Sequence, residues 1–436
     1  MSSSPVSSSI TSPPRAALLR SLALTACLGL TLTACGGGDG STSSGATPSQ
    51  AAASGESTAA PERADADLVV WADAKRAAAL EDVAQRFGQE NGITVAVQTV
   101  SQDLQTNFVT ANTAGNGPDV VIGAHDWIGN MVQNGAVDPL ALPEAEQAQF
   151  TDIALQGVTY EGKVYGLPYA VETLALFRNT DLVPEQPATF DDVVATGLAS
   201  GAENPLCLQQ GQEGDAYHMQ PLYTSAGGYL FGTTGTGEHV PTDLGVGAPG
   251  SIAAAQKVAE LAQQGALKTS ITGDNSISLF TEGRCAYLVS GPWATADVKT
   301  SGTPYALSPV PGFAGMAPAQ PFTGVQAFYV ASKGENKAFA ESFVLDAAAR
   351  PETMRALHEA EPRPSAMREV LAEQSAADPD TAVFAEAAAG GRILPALPQM
   401  AAVWEPLGKA YAAVVNGADP ARTMTTTGET IRASLQ

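Results

Sequence analysis

Residues 68–100 read LVVWADAKRAAALEDVAQRFGQENGITVAVQTV, and this stretch decides the fold. It begins with the apolar run LVVW at 68–71, which is typical of a parallel strand buried on both faces. Helical periodicity follows over residues 75–90, and Asn91 and Gly92 end it. Apolar and polar residues then alternate over 93–97, as they do in a strand. The stretch therefore predicts a strand, a helix and a second strand.

The same alternation continues for one more helix and one more strand. Residues 104–111 have helical periodicity, and Gly117 and Pro118 introduce an apolar strand at 119–122. A β-α-β-α-β order predicts a parallel sheet that is covered by helices, so the predicted fold class is α/β. Further along the chain, the patterns predict extended segments at 165–171 and 174–178, a turn between strands at 232–237, and helices at 252–264, 337–349 and 400–415.

The N-terminus of the chain predicts export. Arg15 and Arg20 precede a short apolar run that ends at Cys35 in the string LTAC. A basic start, an apolar middle and a small-residue cleavage site are typical of a secretory signal, and this run is shorter than the about 20 residues that a membrane span needs. We interpret residues 1–34 as a lipoprotein signal peptide and Cys35 as the lipidated first residue of the mature protein. An N-terminal membrane helix that is left uncleaved is the alternative.

Composition separates a tether from a folded body. Residues 35–66 are mainly Gly, Ser, Thr, Ala and Pro without an aromatic side chain, so they are predicted to be a disordered tether. The chain carries 45 acidic and 22 basic residues, a formal charge of −23. Nucleic acid is not expected as a partner of so acidic a surface, and a neutral or cationic ligand fits better. Solubility alone is an equally good explanation of the acidity.

Motifs of enzymes and metal sites are absent from the sequence. The four histidines are scattered, without a His-Glu-x-x-His or Cys-x-x-Cys pattern for zinc. No Gly-x-Ser-x-Gly motif and no P-loop occurs. The sequence therefore predicts a protein that is not an enzyme and that has neither a cofactor nor a metal ion.

Two cysteines remain in the folded body, Cys207 and Cys285. The predicted export places them in an oxidising compartment, where disulfides form and persist. We therefore expect a disulfide between them, and two free thiols are the alternative.

A series of short strings, in order, resembles the bacterial maltose- and maltodextrin-binding proteins of ABC importers. The resemblance extends over residues 68–417. Its strings are LVVW at 68–71, GPDVV at 117–121, AHD at 124–126, YAVE at 169–172, NTDL at 179–182, AGGY at 226–229, GPWA at 291–294 and PALPQMAAVW at 395–404.

The resemblance implies a sugar site made of carboxylates and aromatic rings. Carboxylates can accept charge-assisted hydrogen bonds from neighbouring sugar hydroxyls, and flat aromatic rings can pack on the apolar faces of the sugar. By resemblance, the ligand-binding residues are Asp126, Glu172, Asp215, Tyr217, Trp293 and Trp404. Asp73, Lys75 and Arg76 are added because they follow the first strand at its carboxyl end, where ligands bind in open α/β sheets. Trp127 and Glu405 are also candidates, although both depart from the family pattern, in which an aromatic residue can stand at the position of Glu405.

Some of these positions have plain structural alternatives. Asp126 could be a helix N-cap, Glu172 a solvated carboxylate, and either Lys75 or Arg76 only a surface residue. The sequence also departs from the family, since Trp127 stands where some members carry arginine. Large aromatic residues often supply core packing, which is the interpretation we favour for Trp71.

The resemblance also implies the architecture and the partners. It implies a two-lobed periplasmic-binding-protein-like fold with a hinge, in which residues 67–170 and 322–364 form one lobe and 171–321 and 365–436 form the other. We expect a monomer that binds maltose or maltodextrin, closes around it and delivers it to an ABC transporter permease. It would be anchored by lipid at the outer face of the cell membrane, or face the periplasm. One alternative is a receptor for another oligosaccharide or disaccharide. The other is an extracellular glycoside hydrolase, since the active sites of these enzymes also contain two carboxylates.

Overall fold

The computed structural model describes residues 61–235 and 237–435. The predicted signal peptide at 1–34, Cys35 and the tether up to residue 60 lie outside the described residues. Within the described ranges, no helix has both the length and the apolar composition that crossing a membrane requires.

The last residues of the predicted tether differ from the prediction, because they are bonded to the folded body. Arg63 forms an ion pair of 2.9 Å with the buried carboxylate of Asp119. The Gln98 side chain donates to the carbonyl of Glu62 and accepts from the backbone N–H of Ala64. A buried carboxylate needs a charged or hydrogen-bonding partner, and composition alone does not show that Arg63 supplies one.

Strands and helices alternate along the described chain. The strands are β1 (Leu68–Ala72), β2 (Val95–Thr99), β3 (Val120–Ala124), β4 (Thr159–Tyr160), β5 (Lys163–Val164), β6 (Gly166–Glu172), β7 (Ala175–Asn179), β8 (Asn204–Leu208), β9 (Phe231–Thr233), β10 (His239–Leu244), β11 (Cys285–Ser290), β12 (Tyr305–Ser308), β13 (Phe322–Val330) and β14 (Arg392–Ile393). The α-helices are α1 (Ala74–Asn91), α2 (Leu104–Ala114), α3 (Ile128–Gln133), α4 (Glu144–Gln147), α5 (Asp152–Val158), α6 (Phe190–Ala199), α7 (Ala216–Ser225), α8 (Pro249–Gln263), α9 (Ser276–Thr281), α10 (Thr295–Ser301), α11 (Lys337–Ser342), α12 (Pro351–Ala360), α13 (Arg368–Ala377), α14 (Pro379–Gly390), α15 (Trp404–Val415) and α16 (Pro420–Ser434). Short 3-10 helices lie at His125–Trp127, Pro292–Ala294 and Pro398–Ala402, and a π-helix lies at Phe343–Ala348.

The predicted β-α-β-α-β start is confirmed, with β1 parallel to both β2 and β3. Every residue of β1 is buried, as its unbroken apolar run predicts, and Trp71 is a core residue. Gly92 ends α1 with φ +67°, a left-handed conformation that favours glycine. Two predicted helices are divided: the π-helix continues α11, and a 3-10 helix at Pro398–Ala402 precedes α15.

The six-stranded sheet has the order β14-β13-β3-β1-β2, and β6 also pairs with β13. Strand β13 is antiparallel to both β3 and β6, and all nine of its residues are buried. One hydrophobic core surrounds this sheet.

The four-stranded sheet has the order β12-β7-β11-β8. Alternate side chains of its strands enter different cores. Leu206 and Leu208 of β8 lie in one cluster and Cys207 in another, as the two-residue period of a strand requires. Helices α15 and α16 contribute to the larger of these clusters.

The chain crosses between the two sheets at neighbouring positions. Residues 173–174 connect β6 to β7, where the Thr173 hydroxyl donates to the carbonyl of Phe322 at 2.8 Å. The N–H of Leu394 donates to the carbonyl of Thr323. Two sheets with separate cores and clustered crossings form the predicted two-lobed α/β fold, with the crossings as its hinge. The residue bounds given above for each lobe remain a prediction.

Candidate functional site

Two parallel strands of the six-stranded sheet are followed by carboxylates, at the edge where ligands bind in α/β sheets. Asp73 follows β1 and caps α1, because its side chain accepts from the backbone N–H groups of Lys75 and Arg76, each at 3.1 Å. Asp126 follows β3 in a 3-10 helix. Its side chain caps neither this helix nor α3, so the structure does not use it as an N-cap.

Asp126 is half-buried, and the charge of a second carboxylate, Glu172, acts on it. Burial raises the pKa of Asp126 above its ordinary value, and the charge of Glu172 acts in the same direction, whereas His125 opposes both. His125 is a buried structural residue. Its ring accepts from the backbone N–H of Val325 at 3.0 Å, and its other nitrogen lies 2.8 Å from the carbonyl of Leu394.

Glu172, at the end of β6, is fixed by partners from distant segments. Its carboxylate pairs with the Nε of Arg363 at 2.5 Å and accepts from the amide of Gln326 at 3.2 Å. Arg363 also pairs with Glu361, which lies 3.4 Å from the Nε of Arg76. Burial disfavours the charge of Arg363, but Glu172, Tyr169 and Glu361 raise its pKa above the ordinary value. The carboxylates are therefore held in a network of alternating charges.

Two buried polar atoms beside this network have no hydrogen-bond partner among the described residues: the hydroxyl of Tyr169 and the Oε1 of Gln326. The Arg76 guanidinium lies over the Tyr169 ring at 6.0 Å. Buried polar groups in native proteins are nearly always paired with protein, water or ligand. The network thus has spare hydrogen-bonding capacity where a polar ligand would use it.

Helix α7 brings a second group of polar residues to the same place. Asp215 caps this helix, accepting from the backbone N–H of His218 at 2.8 Å, and also contacts the His218 ring at 2.9 Å. Burial raises the pKa of Asp215, but its bonds to His218 outweigh burial and lower it overall. Burial, and then the charges of Glu172, Asp126 and Asp215, raise the pKa of Tyr217 well above its ordinary value. The charges of all three carboxylates therefore act on the Tyr217 hydroxyl.

A series of rings extends from Tyr217 in both directions. Its ring centroid lies 5.8 Å from that of Phe322, which lies 5.9 Å from that of Trp404. On the other side, His218 lies 5.5 Å from Tyr217 and 6.4 Å from Trp293. Trp293 is 40% exposed, whereas Trp404 is half-buried and packs against the core of the second lobe. Indole faces beside carboxylates suit a ligand with both apolar faces and hydroxyl edges.

Comparison with known proteins identifies the family of the chain. The family model for bacterial extracellular solute-binding proteins matches residues 82–385. The chain belongs to this family.

Relatives of this solute-binding protein are named for oligosaccharides. The galactooligosaccharide-binding protein of Bacillus subtilis is 27% identical over 387 residues, covering 85% of this chain and 90% of that protein. The maltodextrin-binding protein MdxE of the same species is 31% identical over 269 residues, covering 58% and 62%. A maltooligosaccharide ABC transporter solute-binding lipoprotein of Streptococcus pneumoniae is 26% identical over 370 residues, covering 82% and 86%. The resemblance to carbohydrate-binding members of ABC importers is confirmed.

The contacts described above join the predicted ligand residues of this solute-binding protein into two groups. Asp73 and Arg76 are linked to Glu172 through Glu361 and Arg363. Asp215, Tyr217, Trp293 and Trp404 are linked through His218 and Phe322. Trp127 adjoins Asp126, and its ring lies so close to Gly123 that a Cβ there would be 2.0 Å from the ring. Lys75 is exposed and contributes a backbone N–H to Asp73. Glu405 is exposed and bonded to Lys409 at 2.6 Å, so the structure does not bring it to the other residues.

Sequence reasoning missed Glu361, Arg363, Gln326 and Phe322. Arg363 lies between Pro362 and Pro364. A charged residue between two prolines outside a helix has a restricted backbone, because proline restricts both itself and the preceding residue. This pattern could have identified Arg363 as a residue with a fixed position. Gln326 and Phe322 lie in a buried strand and carried no signal of their own.

Cys207 and Cys285 lie on the neighbouring parallel strands β8 and β11 of this solute-binding protein. Both are fully buried, with Cα atoms 5.9 Å apart and their sulfur atoms in bonding contact. This separation is within the range of a disulfide. Within residues 61–235 and 237–435, no group of three or more His, Cys, Asp or Glu residues is arranged to hold a metal ion.

Proposed function

We propose that this solute-binding protein is a receptor for maltose or maltodextrin that delivers the sugar to the permease of an ABC importer. The observation that carries the proposal is the series of rings around Tyr217, which joins Trp404 through Phe322 and Trp293 through His218. The charges of Glu172, Asp126 and Asp215 act on the Tyr217 hydroxyl. Both lobes contribute to this site, since Glu172 ends a strand of the six-stranded sheet and Tyr217 packs against the core of the other lobe. A sugar that contacts both lobes stabilises the closed arrangement, and the permease would recognise that arrangement.

Export and anchoring are part of the same proposal. The family is extracellular, and the pneumococcal relative is named a lipoprotein. We propose that the mature chain begins at a lipidated Cys35 and acts as a monomer. Metabolic labelling with an alkyne fatty acid should label the wild-type chain, and Cys35→Ser should abolish the label. Continued labelling of that variant would contradict anchoring at Cys35.

Calorimetry with a series of sugars tests the sugar class. We expect a maltooligosaccharide between maltose and maltoheptaose to bind with a Kd of about micromolar, which corresponds to about 8 kcal/mol. Galactooligosaccharides are the second candidate, because the relative named for them matches 85% of this chain. No heat with any maltooligosaccharide, but binding of a galactooligosaccharide, would replace the first candidate with the second. No heat with either class would contradict an oligosaccharide receptor.

We propose binding without catalysis. Asp126 and Glu172 serve as acceptors for sugar hydroxyls, and Glu172 is already paired with Arg363. Incubation with starch should therefore release no reducing sugar. Release that is lost in the Glu172→Gln variant would indicate a glycoside hydrolase instead.

Gly291 is expected to set the position of the Trp293 ring. A Cβ at this position would lie 2.2 Å from the ring, so Gly291→Ala must displace the indole. We expect about tenfold weaker sugar binding by calorimetry, which corresponds to about 1.4 kcal/mol.

Gly390→Ala is the matched control, because a Cβ at Gly390 would have no atom within 4 Å. It should leave the affinity unchanged. Equal affinities of Gly291→Ala and the wild type would show that the position of the ring is not important for binding.

Asp126 is expected to lower the stability of the sugar-free protein at neutral pH. Burial raises its pKa, so its ionised form is disfavoured in the folded state. At pH values between the pKa of Asp126 in the unfolded state and its higher pKa in the folded state, the folded protein binds more protons than the unfolded protein. The free energy of unfolding therefore falls as the pH rises through this range. Asp126→Asn should therefore raise the melting temperature at pH 7, and this gain should shrink as the pH is lowered. The same variant should bind sugar about tenfold more weakly, because it loses a charged acceptor.

Asp274→Asn removes an exposed carboxylate and is the charge-matched control for the melting series. If the melting temperature of Asp126→Asn equals that of this control at every pH, burial of the ionised Asp126 does not destabilise the folded protein.

A further inference from the structure

A cavity of about 450 Å³ lies apart from the residues of the sugar site. Its walls are helix α5, the turn between β4 and β5, the hairpin of β9 and β10, and residues 393–397 that follow β14. None of the ligand residues discussed above lines it. Its volume is within the range of small-molecule sites in proteins, about 300–1,000 Å³.

The cavity is formed by elements of both hydrophobic cores. Helix α5 belongs to the core of the six-stranded sheet through Ala154 and Val158, and the hairpin belongs to the core of the other lobe through Phe231 and Leu244. The hairpin tip closes over α5, since a Cβ at Gly237 would lie 3.3 Å from the side-chain nitrogen of Gln156.

The floor of the cavity is apolar and its rim is acidic. Ile393 and Leu397 are buried residues of the floor. Glu161 and Glu238 are exposed at the rim, and within the described residues neither carboxylate forms an ion pair or a hydrogen bond. Two unpaired carboxylates above an apolar floor suit a ligand with a positive charge and an apolar body.

Glu161 is held in a tight turn beside the cavity. It is the first residue of the two-residue turn between β4 and β5 and has φ +48°, as hairpin turns of this length require. The hairpin therefore fixes the backbone that carries this carboxylate at the rim.

His239 adds a polar group to the wall without adding a positive charge at neutral pH. Burial, and then the charges of Arg392 and His125, lower the pKa of His239 to about 4. The neutral imidazole therefore leaves the charges of Glu161 and Glu238 in place. Arg392 is bonded to Gln320 at 3.1 Å and is not a residue of the cavity wall.

We propose that this cavity is a second binding site, which takes a small organic cation with an apolar ring or chain. The ammonium group would lie at the rim between Glu161 and Glu238, and the apolar body would cover Ile393 and Leu397. The inference concerns a site separate from the sugar site and does not rest on the proposed function.

Fluorine NMR on the full chain tests the proposal with three probes of equal size. These are 4-fluorobenzylamine, which is a cation, 4-fluorobenzyl alcohol, which is neutral, and 4-fluorobenzoate, which is an anion. We expect saturable broadening of the amine signal at neutral pH, weaker broadening of the alcohol and none of the benzoate. The double variant Glu161→Gln/Glu238→Gln should weaken amine binding about fivefold or more, since each exposed ion pair contributes a modest amount.

Two further variants locate the binding. Glu144→Gln/Glu146→Gln removes the same charge from α4, outside the cavity, and should bind the amine like the wild type. Ala396→Trp fills the cavity from its wall and should abolish binding of both the amine and the alcohol. Equal loss in the two double variants, equal broadening by amine and benzoate, or undiminished binding to Ala396→Trp would each overturn the proposal. All of these measurements are made without sugar, so the sugar titration can fail or succeed independently.

Discussion

Trp293→Ala is expected to weaken oligosaccharide binding by about 10- to 100-fold, a loss of about 1.4–2.7 kcal/mol. The ring is 40% exposed in the sugar-free protein, and a sugar face placed on it would bury that area. The covered part of the ring packs against the protein beside Gly291 and His218, so the variant should fold with a modestly lower stability. Isothermal calorimetry with the maltooligosaccharide that binds best measures the difference.

Two exposed apolar residues elsewhere provide matched controls for this loss. Leu198 is 48% exposed and Met316 is 44% exposed, and neither belongs to the series of rings around Tyr217. Leu198→Ala and Met316→Ala should bind sugar like the wild type. If Trp293→Ala also binds within twofold of the wild type, the indole face is not a sugar platform and the proposed site is wrong.

The local elements of the fold could be predicted from the sequence, whereas the pairing of the strands could not. The helix predicted at 75–90 is observed at Ala74–Asn91, because its periodicity and the Asn91-Gly92 end are local features. Strand β13 contacts β3 across about 200 residues of chain, and its sequence FTGVQAFYV contains nothing that selects a partner. The periodicity of 337–349 also does not reveal the π-helix at Phe343–Ala348, since both helix types keep a similar buried face.

Only part of the candidate site could be predicted from the sequence, and there is a physical reason why some of its residues could be found and others could not. Asp73 follows the carboxyl end of a parallel strand, so its position could be predicted from the local pattern, whereas Asp126 came from the resemblance. Glu172, Trp293 and Trp404 came only from the resemblance. The partner of Glu172 is Arg363, which is 191 residues away in sequence. A long-range ion pair leaves no periodic signal, so sequence reasoning could identify the acceptor but not the group that fixes it.

Loss of the Cys207–Cys285 bridge is expected to cost about 4 kcal/mol of stability. The bridge spans 78 residues, and the loop-entropy argument gives about this value for a loop of such length. For a folded body of this size the loss corresponds to a fall in Tm of about 5 °C. Cys207→Ala/Cys285→Ala should therefore unfold at a clearly lower urea concentration than the wild type.

Treatment with dithiothreitol distinguishes the contribution of the covalent bond to stability from that of the packing of the two sulfur atoms. Alanine also removes two buried atoms, which leaves a small cavity and destabilises the core by itself. In a background with Cys27 and Cys35 replaced by serine, dithiothreitol should lower the urea midpoint of the bridged protein and leave the double alanine variant unchanged. Thiol titration of the unreduced, denatured background protein should detect no free thiol. Two thiols in that titration would show that the sulfurs only pack together, because a bond between β8 and β11 leaves neither of them free to react.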